Sequence, residues 1–376
     1  MQLLPKFTET EEFILFSIFC LAGFIQLFWL LFFYSRLAFH KQKIVDSNLS
    51  PISVIIVARN EEDNLFHNLP KVLEQNYPHF EVIVVNHQSS DNTAYILKAF
   101  QRKYAHLKII EIERNKHLRN GKKLPLTVAI KGAKYEHLLF TDADCRVNSP
   151  NWIRHMSENF SSKKQLLIGY GPYLKEKGIL NWLIRLDAQM IAMNYLSFAK
   201  ARVPYMAVGR NFGYTKSLFH SVNGFKSHYS LQSGDDDLFV QDAARKNNYT
   251  ISIHPDTFQY SETKKDWNEW YDQKSRHFST ADNYRVIKKL MLGIYPLSLL
   301  IFCISFIYLL LINDTLIVLG LFAVMLLLKW IIQGKALLKL KDRSFIWLFP
   351  MWDIFYAILA PVLYYTSPKI NETKWR

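Results

Sequence analysis

The sequence predicts an α/β domain built on a Rossmann-like sheet, flanked by apolar helices long enough to span a bilayer. Three observations carry this reading. Short apolar runs rich in Val and Ile alternate with polar helical stretches. Polar clusters fall at the ends of those runs. Uncharged stretches of about 20 residues, the length a membrane span needs, lie before and after the alternating region.

Each element follows in order. Ile52–Val57 is the first apolar run, and Glu61 to Gln75 is the polar helical stretch after it. Glu81–Val85 is the second, followed by a helix from Asp91 to about Arg102. Leu107–Ile112 is the third, followed by a helix from Lys123 to Lys134, and His137–Phe140 closes the series. Buried parallel strands read as near-continuous apolar runs and need helical crossovers, which is the pattern seen. Such sheets bind ligands at the carboxyl ends of their strands. Ala58-Arg59-Asn60-Glu61, Asn86-His87-Gln88-Ser89 and Asp142-Ala143-Asp144 all sit there. A nucleotide site is therefore expected from position alone.

The flanking regions read as membrane spans. Phe13 to Phe33 is uncharged, too long for a signal-peptide core, and followed by Arg36, Lys41 and Lys43 rather than a small-residue cleavage site. Leu290 to Ile312 is the second span and Thr315 to about Gln333 the third, joined by Asn313-Asp314. Phe345 to Tyr365 is the fourth and weakest, because it carries Pro350, Asp353 and Pro361; an interfacial or re-entrant segment is the alternative. Lys288, Lys289, Lys335, Lys339, Lys341 and Arg343 flank these runs. By the positive-inside rule they put residues 50–289 in the cytosol and Asn313-Asp314 outside, although Lys369, Lys374 and Arg376 blur the last segment. The expected domains are a helix and linker at 1–49, the α/β domain at 50–263, an interfacial segment at 264–289 and C-terminal spans at 290–376. Asp353 is costly against lipid, and Lys329 is within reach as an ion-pair partner; acceptor binding is the other reading.

Composition excludes some classes. Of the 376 residues, half are hydrophobic and 21% charged, so a polar domain and apolar segments share the chain. The net charge of +14 suggests a nucleic-acid partner, but the aromatic residues concentrate in apolar stretches rather than among the cations. Span-flanking Lys and Arg explain the charge instead. Cys20, Cys145 and Cys303 match no metal or disulfide spacing.

Asp142 and Asp144 leave a buried strand with one small residue between them. A turn can aim both carboxylates at one point, where Mg2+ or Mn2+ would compensate their charge and bridge a diphosphate. A solvated turn capping a helix is the plainer alternative. Asp235, Asp236 and Asp237 precede an amphipathic stretch, Leu238 to Lys246. They suit a helix start, and crowding raises a carboxylate's proton affinity, as a general base requires. Trp267, Trp270, Tyr271, Lys274, His277, Phe278, Tyr284 and Arg285 mark a helix at headgroup level.

Together these segments resemble the family-2 inverting glycosyltransferases, whose fold is GT-A, over roughly 51–278. Pro51 through Glu62 resembles that family's first strand and donor-binding loop, which assigns Ala58, Arg59, Asn60 and Glu61 to the donor. Glu81–Val85 with Ser89-Ser90-Asp91-Asn92-Thr93 is similar to its second strand and turn, and Gly121-Lys122-Lys123 to the segment before its third helix. Asp142-Ala143-Asp144-Cys145 resembles its metal motif. Gly209-Arg210-Asn211 and Gly224-Phe225 resemble the lead into its acceptor half. Ser233-Gly234-Asp235-Asp236-Asp237-Leu238 is similar to the segment holding the catalytic base, which implies Asp236, with Asp235 as the alternative. Gln273-Lys274-Ser275-Arg276-His277 resembles a Gln-x-x-Arg-Trp motif, placing Gln273 and Arg276 at the leaving diphosphate. Lys122 is either a phosphate contact or a solvated loop lysine.

Two departures matter. Asn86-His87 stands where the family has two acidic residues, one of them contacting the nucleotide base. Asn86 can still bond a base edge, and His87 is either a donor contact or a surface turn residue. His277 stands where processive members have Trp. The resemblance implies inverting transfer of a hexose-type sugar from a nucleotide-sugar, UDP-linked by preference. The implied acceptor is a lipid or lipid-linked glycan at the cytosolic face of membrane lipid. The alternatives are a processive polysaccharide synthase and a catalytically silent nucleotide-sugar-binding scaffold.

Overall fold

The structure is a computed structural model and describes residues 10–41, 49–113, 121–312 and 316–366. Lys43, Asn313-Asp314 and the three basic residues of the tail lie outside the described residues. The chain divides into two compact units. One is Lys41–Ala188 with Arg202–Asn283; the other takes the described parts of Met1–His40, Gln189–Ala201 and Tyr284–Ser367.

The first unit is the α/β domain. Its strands are β1 (Ile52–Ala58), β2 (Phe80–His87), β3 (Leu107–Ile112), β4 (His137–Asp142), β5 (Cys145–Val147), β6 (Leu166–Ile168), β7 (Phe212–Thr215), β8 (Tyr249–Ile251) and β9 (Gln259–Ser261). Seven of them form one sheet in the order β3-β2-β1-β4-β7-β6-β8. The first four are mutually parallel, and β7 turns antiparallel against β4 and β6. Every residue of β1 is buried, because helices cover both faces of a parallel sheet. Register then does the positioning. Val57 pairs with Asp142, Ala58 with Asn86, and Asn86 with Glu111. The polar ends of four strands therefore meet along one edge, as the alternation requires.

The intervening helices are Glu62–Leu73, Thr93–Lys103 and Lys123–Gly132, each a residue or two off its expected bounds. Leu65, Leu69, Val72 and Leu73 bury one face of the first against the strands. Beyond β4 a short antiparallel ribbon, β5 with β9, forms a second sheet. Trp152 of the Trp152–Ser157 helix is wholly buried in the same core, and its Nε1 donates to Asn211 Oδ1 at 3.3 Å.

The second unit is helical. Thr10–Ala38, Val286–Ile312 and Leu316–Lys339 are, among the described residues, the helices long and apolar enough to cross a membrane. The first contains a π-helical turn at Leu30–Tyr34. The segment expected as the weakest span forms the Phe349–Thr366 helix, which is not among those three. A Cβ at Gly23 would stand 2.9 Å from the Phe302 ring, so glycine permits that helix contact. Below it the helices share a polar cluster. Lys329 Nζ donates to Asp353 Oδ2 (2.8 Å), Gln26 Oε1 (2.8 Å) and Tyr295 Oη (2.7 Å). Tyr295 in turn donates to Asp353 at 2.6 Å. The ammonium's three donors are all used, which is the structural ion pair expected of two charges in apolar runs.

Candidate active site

Four of the expected residues, Lys122, Asp142, Asp235 and Asp236, line one pocket at the carboxyl edge of the sheet. Asp142 ends β4 and Asp144 follows two residues later, exposed. One ligand atom from each, and from Cys145, lies within 4.8 Å of the others. Two carboxylates this close repel one another, and their oxygens suit a hard divalent cation. Cys145 is a poor third ligand for such an ion. Burial, then the Asp144 and Asp142 charges, push its thiol well above the usual range.

Lys122 Nζ donates to Asp142 Oδ1 at 2.6 Å, and the two side chains are 29% and 32% exposed. It is therefore bonded to the cleft floor, not solvated. Burial alone would raise the Asp142 carboxyl, but Lys122, Arg210 and Arg276 hold it below the usual range. Arg276 itself is half-buried on the Trp267–Ala281 helix. Gln273, one turn earlier on the Trp267–Ala281 helix, donates to Tyr173 Oη at 3.4 Å, and the Arg210 guanidinium stacks 4.6 Å from the Tyr173 ring.

Two residues of the acidic triplet, Asp235 and Asp236, line the same pocket, together with Gly209. Asp236 caps the Asp237–Ala243 helix by accepting from the Asp237 N–H at 2.8 Å. Its other oxygen accepts from the Gly209 N–H at 2.8 Å. Burial, and then the neighbouring Asp235 charge, nonetheless push its carboxyl up to about 6. Asp236 is thus a helix cap whose two oxygens are both fixed in direction.

Lys123 and Gly121, which the sequence offered only within the Gly121-Lys122-Lys123 motif, act as supports. Lys123 is buried, and its Nζ donates to the carbonyls of His228 (2.5 Å) and Leu231 (2.9 Å), the loop leading into the triplet. Burial lowers this ammonium to about 8 even though Asp235 and Asp236 act the other way. Gly121, at φ +143°, brings its backbone against Gln232 of the same loop. From the other side, the Ser233 hydroxyl bonds Thr280 on the Trp267–Ala281 helix. A lysine next to another lysine reads as ordinary surface charge, so only the fold reveals that Lys122 and Lys123 diverge.

The donor-loop residues sit at the end of β1. Asn60, at φ +54°, accepts the Ser90 N–H on Oδ1 at 2.8 Å, and Glu61 N–H donates to Thr93 Oγ1 at 2.9 Å. These bonds lace the loop after β1, with Ala58 and Arg59, to the turn after β2. Burial and the Asp144 and Asp142 charges raise the Glu61 carboxyl to about 7, against the opposing bond from Asn64. Asn86 and His87 are strand residues, both buried, which corrects the surface-turn reading of His87. Burial and Arg59 lower His87 to about 4, so it is neutral. Asn86 Nδ2 donates to Glu111 Oε2 at 2.7 Å, while its buried Oδ1 has no partner among the described residues. Glu111, unread in the sequence, brings a carboxylate beside the position where the sequence lacks one. His277 is exposed.

Comparisons with known proteins bear on the family and the fold. The model of the family described as glycosyl transferase family 21 matches residues 15–376. A poly-beta-1,6-N-acetyl-D-glucosamine synthase of Staphylococcus epidermidis is 30% identical over 151 residues, 38% of this chain and 35% of that protein. A poly(ribitol-phosphate) beta-glucosyltransferase of Bacillus spizizenii is 35% identical over 130 residues, 34% of this chain and 19% of that protein. The matched segments thus span about a third or less of these relatives. Among solved structures, a mannosyltransferase from Pyrobaculum calidifontis, in complex with GDP-Man and Mn2+, superposes with a TM-score of 0.57 at 17% identity. That match covers 94% of this chain and 99% of that one. The fold is GT-A, as the resemblance implied.

Proposed function

We propose the following reaction for this chain, which belongs to glycosyl transferase family 21 and is a glycosyltransferase: inverting transfer of a sugar from a UDP-linked donor to a lipid or lipid-linked glycan at the cytosolic face of a membrane. One observation carries it. Lys122, Asp142, Asp235 and Asp236 line a single pocket, with Lys122 bonded to Asp142. That arrangement puts groups suited to holding a leaving group and groups suited to deprotonating a hydroxyl in one cavity.

Asp142 and Asp144 would hold Mg2+ or Mn2+, which when bound supplies charge to the diphosphate as it departs. Lys122, Arg276 and Gln273 orient the phosphate oxygens, the arginine by paired N–H bonds. The loop Ala58-Arg59-Asn60-Glu61 closes over the nucleoside, Asn86 offers its Oδ1 to the base edge, and Glu111 supplies an acceptor for a base N–H. Asp236 takes the acceptor hydroxyl's proton as that oxygen bonds to the anomeric carbon and the carbon–phosphate oxygen bond breaks on the far side. Its raised proton affinity suits that task at neutral pH. The three long apolar helices support membrane attachment of residues 1–49 and 290–376, with 264–289 at the interface.

The test is to incubate membranes carrying the protein with a panel of labelled nucleotide-sugars. Label from a UDP-sugar entering the organic extract is the expected result. Label from no donor would return the chain to the scaffold reading. Label entering long polymer while most acceptor is unused would promote the synthase reading, which the Staphylococcus relative's name favours. The exposed His277, lacking an indole face on which a polymer could slide, favours one or a few additions.

A further inference from the structure

Behind the β5–β9 ribbon lies a cluster that the transfer reaction does not use. His155 sits on the Trp152–Ser157 helix, and His254 and Asp256 bracket Pro255 at the turn before β9. One ligand atom from each of these three falls within 4.8 Å of the others. His155 Nε2 is 3.5 Å from Asp256 Oδ2, and His254 Nδ1 is 3.9 Å from the same oxygen. The imidazole rings lie side by side, 4.3 Å apart and tilted by 35°.

Ligands about 2.0–2.1 Å from a tetrahedral ion stand roughly 3.3 Å from one another. The His155–Asp256 separation exceeds that by about 0.2 Å and the His254–Asp256 separation by about 0.6 Å; His254 Nδ1 accepts the Asp256 backbone N–H at 3.3 Å, a bond that an ion at this nitrogen would replace. The remaining nitrogen of His155, Nδ1, is 3.1 Å from Glu158 Oε2. A carboxylate holding one imidazole N–H fixes the ring so that the other nitrogen faces an ion with a lone pair, a support common to metal-bound histidines. Side chains 20% exposed at His155, 30% at His254 and 42% at Asp256 leave the cluster reachable from water.

We propose that His155, His254 and Asp256 form a second metal site, oriented by Glu158, that binds a borderline first-row divalent cation of the Zn2+ kind. Two imidazoles and one carboxylate favour such an ion over Mg2+, whereas the all-oxygen pair Asp142 and Asp144 favours the reverse. The two sites therefore select different metals. The new one joins the turn ahead of β9 to the Trp152–Ser157 helix. Because β9 pairs with β5, which begins at Cys145 next to Asp144, the ion fastens the ribbon that follows the donor-side acid.

The full chain, purified in detergent and stripped with chelator, is titrated with Zn2+ against a chromophoric competitor in the absence of nucleotide-sugar. Co2+ substitution, read by visible absorbance, reports the nitrogen ligands. One equivalent of Zn2+ should bind and raise the thermal midpoint by several degrees. His155→Ala and His254→Ala should each weaken binding at least a hundredfold, and Glu158→Gln by about 10- to 100-fold. Asp256→Asn, which keeps the turn's shape, should abolish the thermal shift, and this variant decides the matter if the histidine variants fold poorly. Asp144→Asn should leave Zn2+ binding unchanged. No bound equivalent, equal binding by Asp256→Asn and wild type, or loss only in Asp144→Asn would each overturn the site.

Discussion

Two lysine–aspartate pairs, one in each unit, show how similar bonds take on different work. Lys329 and Asp353 are 1% and 4% exposed, and Tyr295 and Gln26 fill what the pair leaves open. Lys122 and Asp142 form an equally short bond, yet each is about a third exposed, with Asp144 and Asp235 acting on the same lysine. The first pair is satisfied and sealed, so nothing replaces either partner. The second is surrounded by surplus negative charge and open on one side, so a substrate phosphate can draw the lysine and a cation can take the carboxylate. Satisfaction, more than charge or burial alone, separates the structural pair from the one poised for chemistry.

The contrast can be broken or sharpened by substitution. The largest effect is expected on the open side. Asp144→Asn should abolish transfer and weaken donor binding, whereas Asp236→Asn should slow turnover by roughly a hundredfold or more with donor affinity nearly intact. Asp237→Asn should be much milder; if Asp235→Asn shows the slow-but-binding pattern instead, the base is one residue earlier. On the sealed side the effect should be on stability. Lys329→Met alone strands Asp353 and should lower unfolding stability by about 3–5 kcal/mol, while Lys329→Met with Asp353→Leu should recover most of it. A single variant more stable than the double would refute the structural assignment. Denaturant unfolding in detergent reads both.

Lys122→Met is the direct counterpart of Lys329→Met. It should cost under about 1 kcal/mol of stability, as part-exposed pairs do. It should raise the donor KM about tenfold or more, the loss of one charge-assisted bond worth about 1.5–3 kcal/mol. An unchanged KM would make the cleft pair merely structural too. The smallest effect is in pH. As the proposed base, Asp236 must be ionised, so the rate should fall as pH drops through about 6. Removing the like charge in Asp235→Asn should move that limb to lower pH; no movement would remove Asp235 from the account. The sign for stability is opposite: the folded protein keeps this proton where the unfolded chain, at an ordinary pKa of about 3.9, has lost it. Ionising Asp236 therefore subtracts stability between about pH 4 and 6.

Much of this was legible in the sequence where a residue's environment is set by its neighbours in the chain. The four parallel strands showed as apolar runs because both their faces are buried, and Lys329 and Asp353 as a pair because charges in apolar helices must find one another. The three-residue strands β5, β6, β8 and β9 are too short to display a period. The Ile179–Lys200 helix passed unread because buried Arg185, Asp187 and Gln189 interrupt its apolar pattern; Asp187 is bonded to Lys274 at 2.5 Å. Glu111 and Lys123 lay hidden for another reason. Their roles depend on partners 25 and more than 100 residues away, which only strand register and loop return bring close.

The polar knot among the helices also sets a timetable. Gln26 is made early, but its partners Tyr295 and Lys329 follow 269 and 303 residues later. At about 5–20 residues per second on the ribosome, the glutamine waits on the order of 15–60 s for the side chains that satisfy it. Throughout that interval the entire α/β unit is being synthesised. The helical unit is thus begun before the α/β unit and closed after it, and its sealed bond forms only once the cleft's residues already exist.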